Sequence, residues 1–542
     1  MDPKLLQLFQ NTPSGPVRID ELADILALST KQLTRSLRKW EQDGWLTYVS
    51  GRGRGVLSQL HWQKHVEQTY VEFVLEEMDT EPLEVSSKYL SYNWSPPYKQ
   101  QLMKALQATF GDQQQTRDKV IVPRRNPFLA THPIIAADAK SAMLVANVYN
   151  RLVSLSAAGV FTPELAHSWD LLHDRLRLFI RKDITFHDGS CLTADDVVYC
   201  LQKLLHHPYC QQVWQPIQAV TSPAPLVVDL LYRDQCSYSL HLLSMVTASI
   251  YKETAHSLHG TGAFMLQQND EQKTSLLAFK DHFRERPLLD AVEFIKVPSD
   301  FPRIYQSTVQ PVDTTAVPHQ VDYSFGFGIL ILSNAVPEAL RHYIHRLVVD
   351  HRHSLESINL TPNEHGCLHH PVIPPPASVS LPQTMKPLSI VVQRYTEHIV
   401  QWLTALLDQH NIPYELHYLS FDETVYRKQE QCYDVLIHGE VFEMNEQFAF
   451  FYFLRNGLSP FSTMLEDEKW RTILLRYPST PFEEWPMLNQ EMEASLIHAS
   501  HLIPLYYDRK QTQLSSDLMN IQPTQFGYID LSSLWIRPTI EA

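Results

Sequence analysis

The sequence predicts a multidomain chain: a winged helix-turn-helix at the N-terminus, followed by a larger α/β region. Three observations carry this. The 542 residues exceed what one small core organises, so two to four domains are expected. The first sixty residues show short helical periods that end in a Gly-Arg hairpin. From "VIVPRRNPFL" (Val120–Leu129) onward, short Val/Ile/Phe runs alternate with longer helical patterns, the texture of α/β sequence.

Taken in order, "PKLLQLFQ" (Pro3–Gln10) reads as a short helix, and a Pro-Gly turn follows at Pro13–Pro16. "IDELADILAL" (Ile19–Leu28) carries apolar residues at helical spacing. "STKQLTRSLRKWEQDG" (Ser29–Gly44) is the next helix: Ser29 and Gln32 fit a capping box, Leu33, Leu37 and Trp40 form a buried stripe, and Gly44 ends it. "WLTYV" and "VLSQL" read as two strands around the turn. "HWQKHVEQTYVEFVLEEM" (His61–Met78) reads as a linking or partner-facing helix, and "QQLMKALQATFG" (Gln100–Gly111) as another. The expected division is 1–60 for the winged module, 61–118 for a helical linker and 119–542 for the large domain. Within the last, "LSIVV", "EHIVQWLTALLDQHNIP" and "YELHYL" form a strand–helix–strand unit, after a proline-rich break at His369–Pro382.

Charge is unevenly spread. The chain carries −15 overall, which argues against a surface coated for nucleic acid. Met1–Leu60 nevertheless holds eight Lys or Arg against six Asp or Glu, and Lys31–Arg54 holds six against two. A helix of this kind enters the major groove with its N-terminal residues at the base edges. Gln32, Arg35 and Ser36 are therefore the base-edge candidates, with Lys31, Arg38 and Lys39 at phosphates. In "WLTYVSGRGRGV" (Trp45–Val56), glycines at 51, 53 and 55 permit a tight turn. Arg52 and Arg54 would project from it toward phosphates or a narrow minor groove. Double-stranded promoter DNA is the implied partner. The competing reading is a protein-interaction module with a solvated hairpin.

Other classes find little support. The six cysteines are scattered without metal spacing, which fits a reducing compartment. "MDPKLLQLFQ" lacks the pattern of a secretory signal, and no run of about 18 apolar residues is present. A cytoplasmic location without membrane partner is expected. No catalytic motif, metal site or cofactor fingerprint stands out, and oligomeric state is left open.

Residues 1 to about 115, with "DGWLTYVSGRGRGVLSQLHW" and the helices around it, resemble the N-terminal region of SgrR-type bacterial transcriptional regulators. Arg18 departs from the Ser or Thr expected before "IDEL", which removes that helix's usual cap. "VYNRLVSLSAAGVFTPELAHSWD", "LRLFIRKDITFHDGSCLTADDVVYCLQKL", "GTGAFML" and "LLAFKDHFRERPLLDAVEFIKVP" resemble, in order, the family 5 extracellular solute-binding proteins. The resemblance implies a two-lobed α/β periplasmic-binding-protein-like domain, type II and peptide-receptor-like, that closes on a small-molecule solute. It implies a DNA-binding regulator sensing a small cytoplasmic solute, with a sugar phosphate or related metabolite among the candidates. The alternative is an ABC-transporter-type solute or oligopeptide binding protein.

Peptide receptors of this family carry a Gly-Trp segment followed by an acid that takes the peptide amine. In "YDVLIHGEVFEMNEQF" (Tyr433–Phe448), Gly439 keeps the glycine, Glu440 replaces the tryptophan and Glu443 falls near the acid. The resemblance therefore implies Glu440 and Glu443 as ligand-facing, suited to hydroxyls or an amine; the alternative is two rim carboxylates. Elsewhere structural readings prevail. Thr193 and Asp196 fit a capping box, His187 a structural hydrogen bond, and Gly260-Thr261-Gly262 a tight strand entry rather than an anion cradle.

Overall fold

The computed structural model describes residues 1–51, 57–80, 89, 92–99, 101–102, 105, 118–156, 159–255, 257–297, 304–307, 319–370, 381, 385–426, 433–442, 445–462, 464–522 and 529–538. The front of the chain runs α1 (Pro3–Asn11), β1 (Gly15–Val17), α2 (Ile19–Ile25), α3 (Thr30–Gln42), β2 (Leu46–Val49), β3 (Ser58–Trp62) and α4 (Val66–Thr80). The strands form a sheet in the order β1-β3-β2, all antiparallel. This is a winged helix-turn-helix with one strand more than the sequence indicated: Gly15–Val17, which overlaps the turn expected at Pro13–Pro16, pairs with β3.

Capping decides where the helices start. Asp2 caps α1 by accepting from Lys4 N at 3.0 Å. Its other oxygen accepts from the Trp40 indole at 2.9 Å, which ties α1 to the end of α3. Arg18 opens α2 without a side-chain cap, as its lack of an acceptor requires. Ser29 and Gln32 form the complete capping box on α3, and the helix stops at Gly44, whose φ of +73° suits glycine. The helix expected from His61 begins at Val66 instead. His61 and Trp62 remain in β3 opposite Thr47 and Leu46, and the Trp62 amide and indole donate to Ser14 and Thr12. The predicted helix at 100–111 falls mostly on residues outside the described set.

The large domain begins with β4 (Lys119–Arg124) and α5 (Ala139–Val148). A subdomain follows: β5 (Val153–Leu155), β6 (Phe161–Pro163), β7 (Ala166–Leu171), β8 (Arg175–Ile180), α6 (Ala194–His206), β9 (Ile217–Ala224), β10 (Val227–Tyr232) and α7 (Ser239–Ser244). The short β11 (Lys252–Glu253) and β12 (Leu258–His259) lead to β13 (Phe264–Asn269), β14 (Lys273–Ala278), β15 (Ala291–Lys296) and β16 (Ile304–Ser307). Two long strands, β17 (His319–Leu332) and β22 (Leu502–Leu514), bracket the second lobe. Between them lie α8 (Glu338–His351), β18 (Thr361–Pro362), β19 (Leu388–Val392), α9 (Glu397–Gln409), β20 (Tyr414–Tyr418), α10 (Phe421–Tyr426), β21 (Val435–Val441), α11 (Glu446–Arg455), α12 (Glu468–Leu474) and α13 (Trp485–His498). The predicted strand–helix–strand unit is β19-α9-β20, with the strands parallel.

Among the described residues one eleven-stranded sheet runs through both lobes in the order β13-β14-β15-β4-β16-β22-β17-β21-β19-β20, with β18 beside β22. β17 and β22 pair antiparallel from His319–Leu514 to Ile331–Leu502, so they form the connection on which the lobes are mounted. α8 and α9 cover one face of the second lobe and bury Leu340, Ile344, Val400 and Leu403. α11, α12 and α13 cover the other and continue into the core of the first lobe.

The 61–118 segment is no free spacer among its described residues. Val66, Tyr70, Val71, Val74, Trp94 and Leu102 share one core with Leu5, Leu22, Leu33 and Trp40 of the winged module. Ile121, Ile295 and Val297 belong to that same core. β4 and β15 are parallel neighbours, and their residues alternate between faces. Val120, Val122, Val292 and Phe294 point into the first lobe, and Ile121 and Ile295 point into the N-terminal core. Truncating such a residue removes transfer energy and leaves a cavity. Ile295→Ala should therefore cost about 2–5 kcal/mol. Calorimetry should show the melting of the N-terminal module and of the first lobe shifting together; movement of only one would disprove the common core.

Candidate functional site

The first candidate surface is α3. Leu33, Leu37 and Trp40 are buried toward α1, α2 and the wing. Lys31, Gln32, Arg35, Arg38 and Lys39 are exposed and Ser36 is half-buried, which follows from a helical period with one apolar stripe. Gln32 also closes the cap, because its Oε1 accepts from Ser29 N at 3.1 Å and Ser29 Oγ at 2.8 Å. Its amide NH2 is the end left to face a groove. The wing is anchored at its base, where Tyr48 OH donates to Ser58 Oγ at 2.9 Å and Gly51 N donates to the same oxygen at 3.2 Å. Arg52 and Arg54 lie outside the described residues.

The second candidate is the junction of the lobes. Glu440 stands on β21 opposite Phe327 of β17. Its Oε2 lies 3.1 Å from His438 Nε2, and its Oε1 accepts from Val441 N at 3.1 Å. The carboxylate is thus already held by its own strand, with the side chain 29% exposed. Glu443 lies outside the described residues. Beyond them, Asn445 caps α11 by accepting from Phe448 N at 3.1 Å, and its Nδ2 sits 3.3 Å from His241 Nε2 of the first lobe.

Aromatic rings fill the space behind that contact. His241 stacks on Phe482 at 3.9 Å and on Phe448 at 5.2 Å. Tyr238 meets Phe451 and Trp485 at 5.1 and 5.4 Å. Backbone bonds stitch the edge: Ser237 N and Oγ donate to Pro478 O and Tyr477 O at 2.9 and 3.0 Å, and Gly457 N donates to Tyr209 O at 2.7 Å. Burial pushes the His241 imidazole down to about 3, so it is neutral here and behaves as an aromatic ring. The lobes are closed on each other, with a hydrocarbon seam between them.

Sequence reasoning missed the acid with the most perturbed setting, Glu493 on α13. It is 3% exposed, and Cys367 N donates to its Oε1. Burial lifts its carboxyl to about 7. The Cys367 thiol beside it is also raised well above the usual range, by burial first and then by the Glu493 charge. The only trace in the sequence is that Asn489 and Glu493, one helical turn apart, interrupt the apolar stripe of Trp485, Leu488, Met492 and Leu496.

The other singled-out motifs are structural. Thr193 and Asp196 form the capping box on α6. His187 Nε2 lies 3.0 Å from Gly262 O, and burial lowers the ring to about 4. Gly260 and Gly262 press against the end of α5: a Cβ on Gly260 would lie 1.9 Å from Val148 O, and one on Gly262 would lie 2.4 Å from Val148 C. Gly262 N already donates to Val148 O at 3.0 Å, so close backbone packing takes the place of an anion cradle. Among the described residues no group of three His, Cys, Asp or Glu is placed to hold a metal, and no helix is long and apolar enough to cross a membrane.

Fold and surfaces together define a class: a winged helix-turn-helix fused to a two-lobed solute-binding fold. Residues 3–116 match the family described as "Sugar transport-related sRNA regulator N-term". Residues 160–320 match "Bacterial extracellular solute-binding proteins, family 5 Middle". A relative named HTH-type transcriptional regulator SgrR, from Pectobacterium atrosepticum, is 24% identical over 99% of this chain and 98% of its own length. Its namesake from Photorhabdus laumondii is 21% identical over 96% and 95%. The large domain superposes on a dipeptide binding protein from Pseudoalteromonas sp. SM9913, in complex with Met-Leu, with TM-score 0.64 and 13% identity, covering 77% of this chain and all of that one. The murein tripeptide binding protein MppA of Escherichia coli gives 0.62 at 13% identity over 78% and 99%. The chain is thus similar to the SgrR-type regulators along nearly its whole length.

Glu493 sets a pH dependence. Its folded value of about 7 lies above the ordinary 4.5. Between those values the folded protein holds a proton that the unfolded chain has released, so stability falls as pH rises through this window. Urea denaturation at pH 5 and pH 8 should show this decline in the native protein and a weaker one in Glu493→Gln. An equal decline in both would remove the assignment.

Proposed function

We propose that the protein is a DNA-binding transcriptional regulator whose two-lobed domain senses a small solute. The observation that supports it best is the common core of the winged module and the β4–β15 face. A signal that alters the first lobe reaches the DNA-binding module through packed side chains rather than across a flexible tether. Solute binding biases this arrangement only to the extent that it prefers one lobe state over another. The regulator works where promoter DNA is, in the cytoplasm. A transport receptor is disfavoured by the same fused module.

In this reading α3 enters the major groove. Gln32, Arg35 and Ser36 face base edges, while Lys31, Arg38, Lys39 and the wing residues Arg52 and Arg54 meet phosphates. Glu440 and Glu443 remain proposed as acids at the solute cleft, with Glu440 already held by His438 and Val441 N and keeping acceptor capacity for a ligand hydroxyl. A sugar phosphate or related metabolite remains among the candidate solutes.

Footprinting on the DNA upstream of the coding sequence, with and without hexoses, hexose phosphates and short peptides, tests the reading. Protection should be saturable, salt-dependent and altered by one of the solutes. Arg35→Ala should cost about 1–3 kcal/mol and relax preference at its base pair. Lys39→Ala should weaken all sequences alike and lower the salt slope by about 1. Operator binding unchanged in both variants would exclude α3 as the reading helix.

A further inference from the structure

A cavity of about 450 Å³ opens in the N-terminal region, between the end of α1, the start of α4 and the segment 93–98. Phe9, His65, Trp94 and Tyr98 give it aromatic walls, and Gln10 and Glu67 give it oxygens. No Lys or Arg lines it. Its volume falls in the range of small-molecule sites.

The lining is one bonded frame. Glu67 Oε1 accepts from Gln10 Nε2 at 2.9 Å and from Ser95 N at 2.6 Å. The same Gln10 amide also donates to Asn93 O at 2.7 Å. Phe9 meets His65 edge-on with ring centroids 4.7 Å apart, and His65 meets Tyr98 at 5.8 Å. His65 Nδ1 is engaged at the start of α4, where it accepts from Gln68 N at 3.1 Å. The acid and the rings are therefore carried by the same three short stretches of chain.

Holding this frame together uses only one oxygen of Glu67. Its Oε2 receives no hydrogen bond, and among the described residues no Lys, Arg or His pairs with the carboxylate. Yet Glu67 is only 4% exposed. A carboxylate so enclosed is costly unless an opposite charge reaches it. Gln10 Oε1 likewise receives no donor, because the amide is engaged through its nitrogen. Two acceptor oxygens without donors, in a cavity walled by rings, match an ammonium group. It donates three hydrogen bonds and is attracted to ring faces within about 6 Å.

We propose that this cavity binds a primary alkylammonium cation. Glu67 is its counter-charge, Gln10 a second acceptor, and the rings of Phe9, His65 and Tyr98 surround its apolar stem. An occupant ties the 93–98 segment to α1 and α4, and so adds to the contacts between the winged module and the chain that leads to the first lobe. The site is separate from the solute cleft, and binding there does not depend on the regulator reading.

Ligand-observed NMR titration of the full chain, at physiological salt, tests it with three probes of similar size: n-butylamine, 1-butanol and butyrate. Butylamine should bind saturably and at least about tenfold tighter than the alcohol or the acid. Glu67→Gln keeps an oxygen for Ser95 N and Gln10, so the frame stands while the charge is lost; it should weaken butylamine about tenfold or more. Tyr98→Leu, at a half-buried ring, should weaken it about threefold or more. Glu72→Gln, at an exposed acid further along α4, should leave it unchanged. No binding of butylamine, equal binding of butanol, affinity unaltered in Glu67→Gln, or an equal loss in Glu72→Gln overturns the site. Absence of DNA protection in footprinting would sink the regulator reading alone and leave this site standing.

Discussion

The whole arrangement depends on one pair of parallel strands, β4 and β15, whose two faces serve different cores. Val120, Val122, Val292 and Phe294 close the first lobe, while Ile121, Ile295 and Val297 close the N-terminal module. On the N-terminal side, Glu293 is gripped by Lys119 at 3.2 Å and Lys273 at 3.1 Å, all three with little exposure. A pair so enclosed is costly to break because the survivor is left charged and unpaired. It ties β4, β15 and β14 together on this face. The fused architecture is therefore a single mechanical object at this point, which is what a sensor coupled to a reader requires.

The lobe junction follows a different logic. His241, Tyr238, Phe448, Phe451, Phe482 and Trp485 pack in edge and stacked geometries, contacts that add to simple area burial.

Much of this was legible in the sequence because it was local. Ser29 with Gln32, Thr193 with Asp196, and the stripe Leu33–Leu37–Trp40 are decided within a few residues, and the strand–helix–strand at 388–418 is written in its periods. What stayed hidden is long-range. Nothing near Gly15 announces that it pairs with Leu60. Nothing near Ile121 or Ile295 indicates that one face of their strands belongs to the N-terminal core. Glu440 was found through its place in a segment, yet its bond to His438 depends on strand geometry. Glu493 looks like an ordinary helical surface charge until the fold buries it.

The long strand β22 also imposes an order on biosynthesis. It lies beside β16 and β17, and Leu514, Leu518, Ile529 and Leu534 help fill the first-lobe core. A ribosome must therefore deliver the chain through Leu534 before that lobe can close, long after the winged module has emerged. The nascent chain exposes an unfinished sheet for most of its synthesis, which makes this lobe the part most in need of chaperone protection.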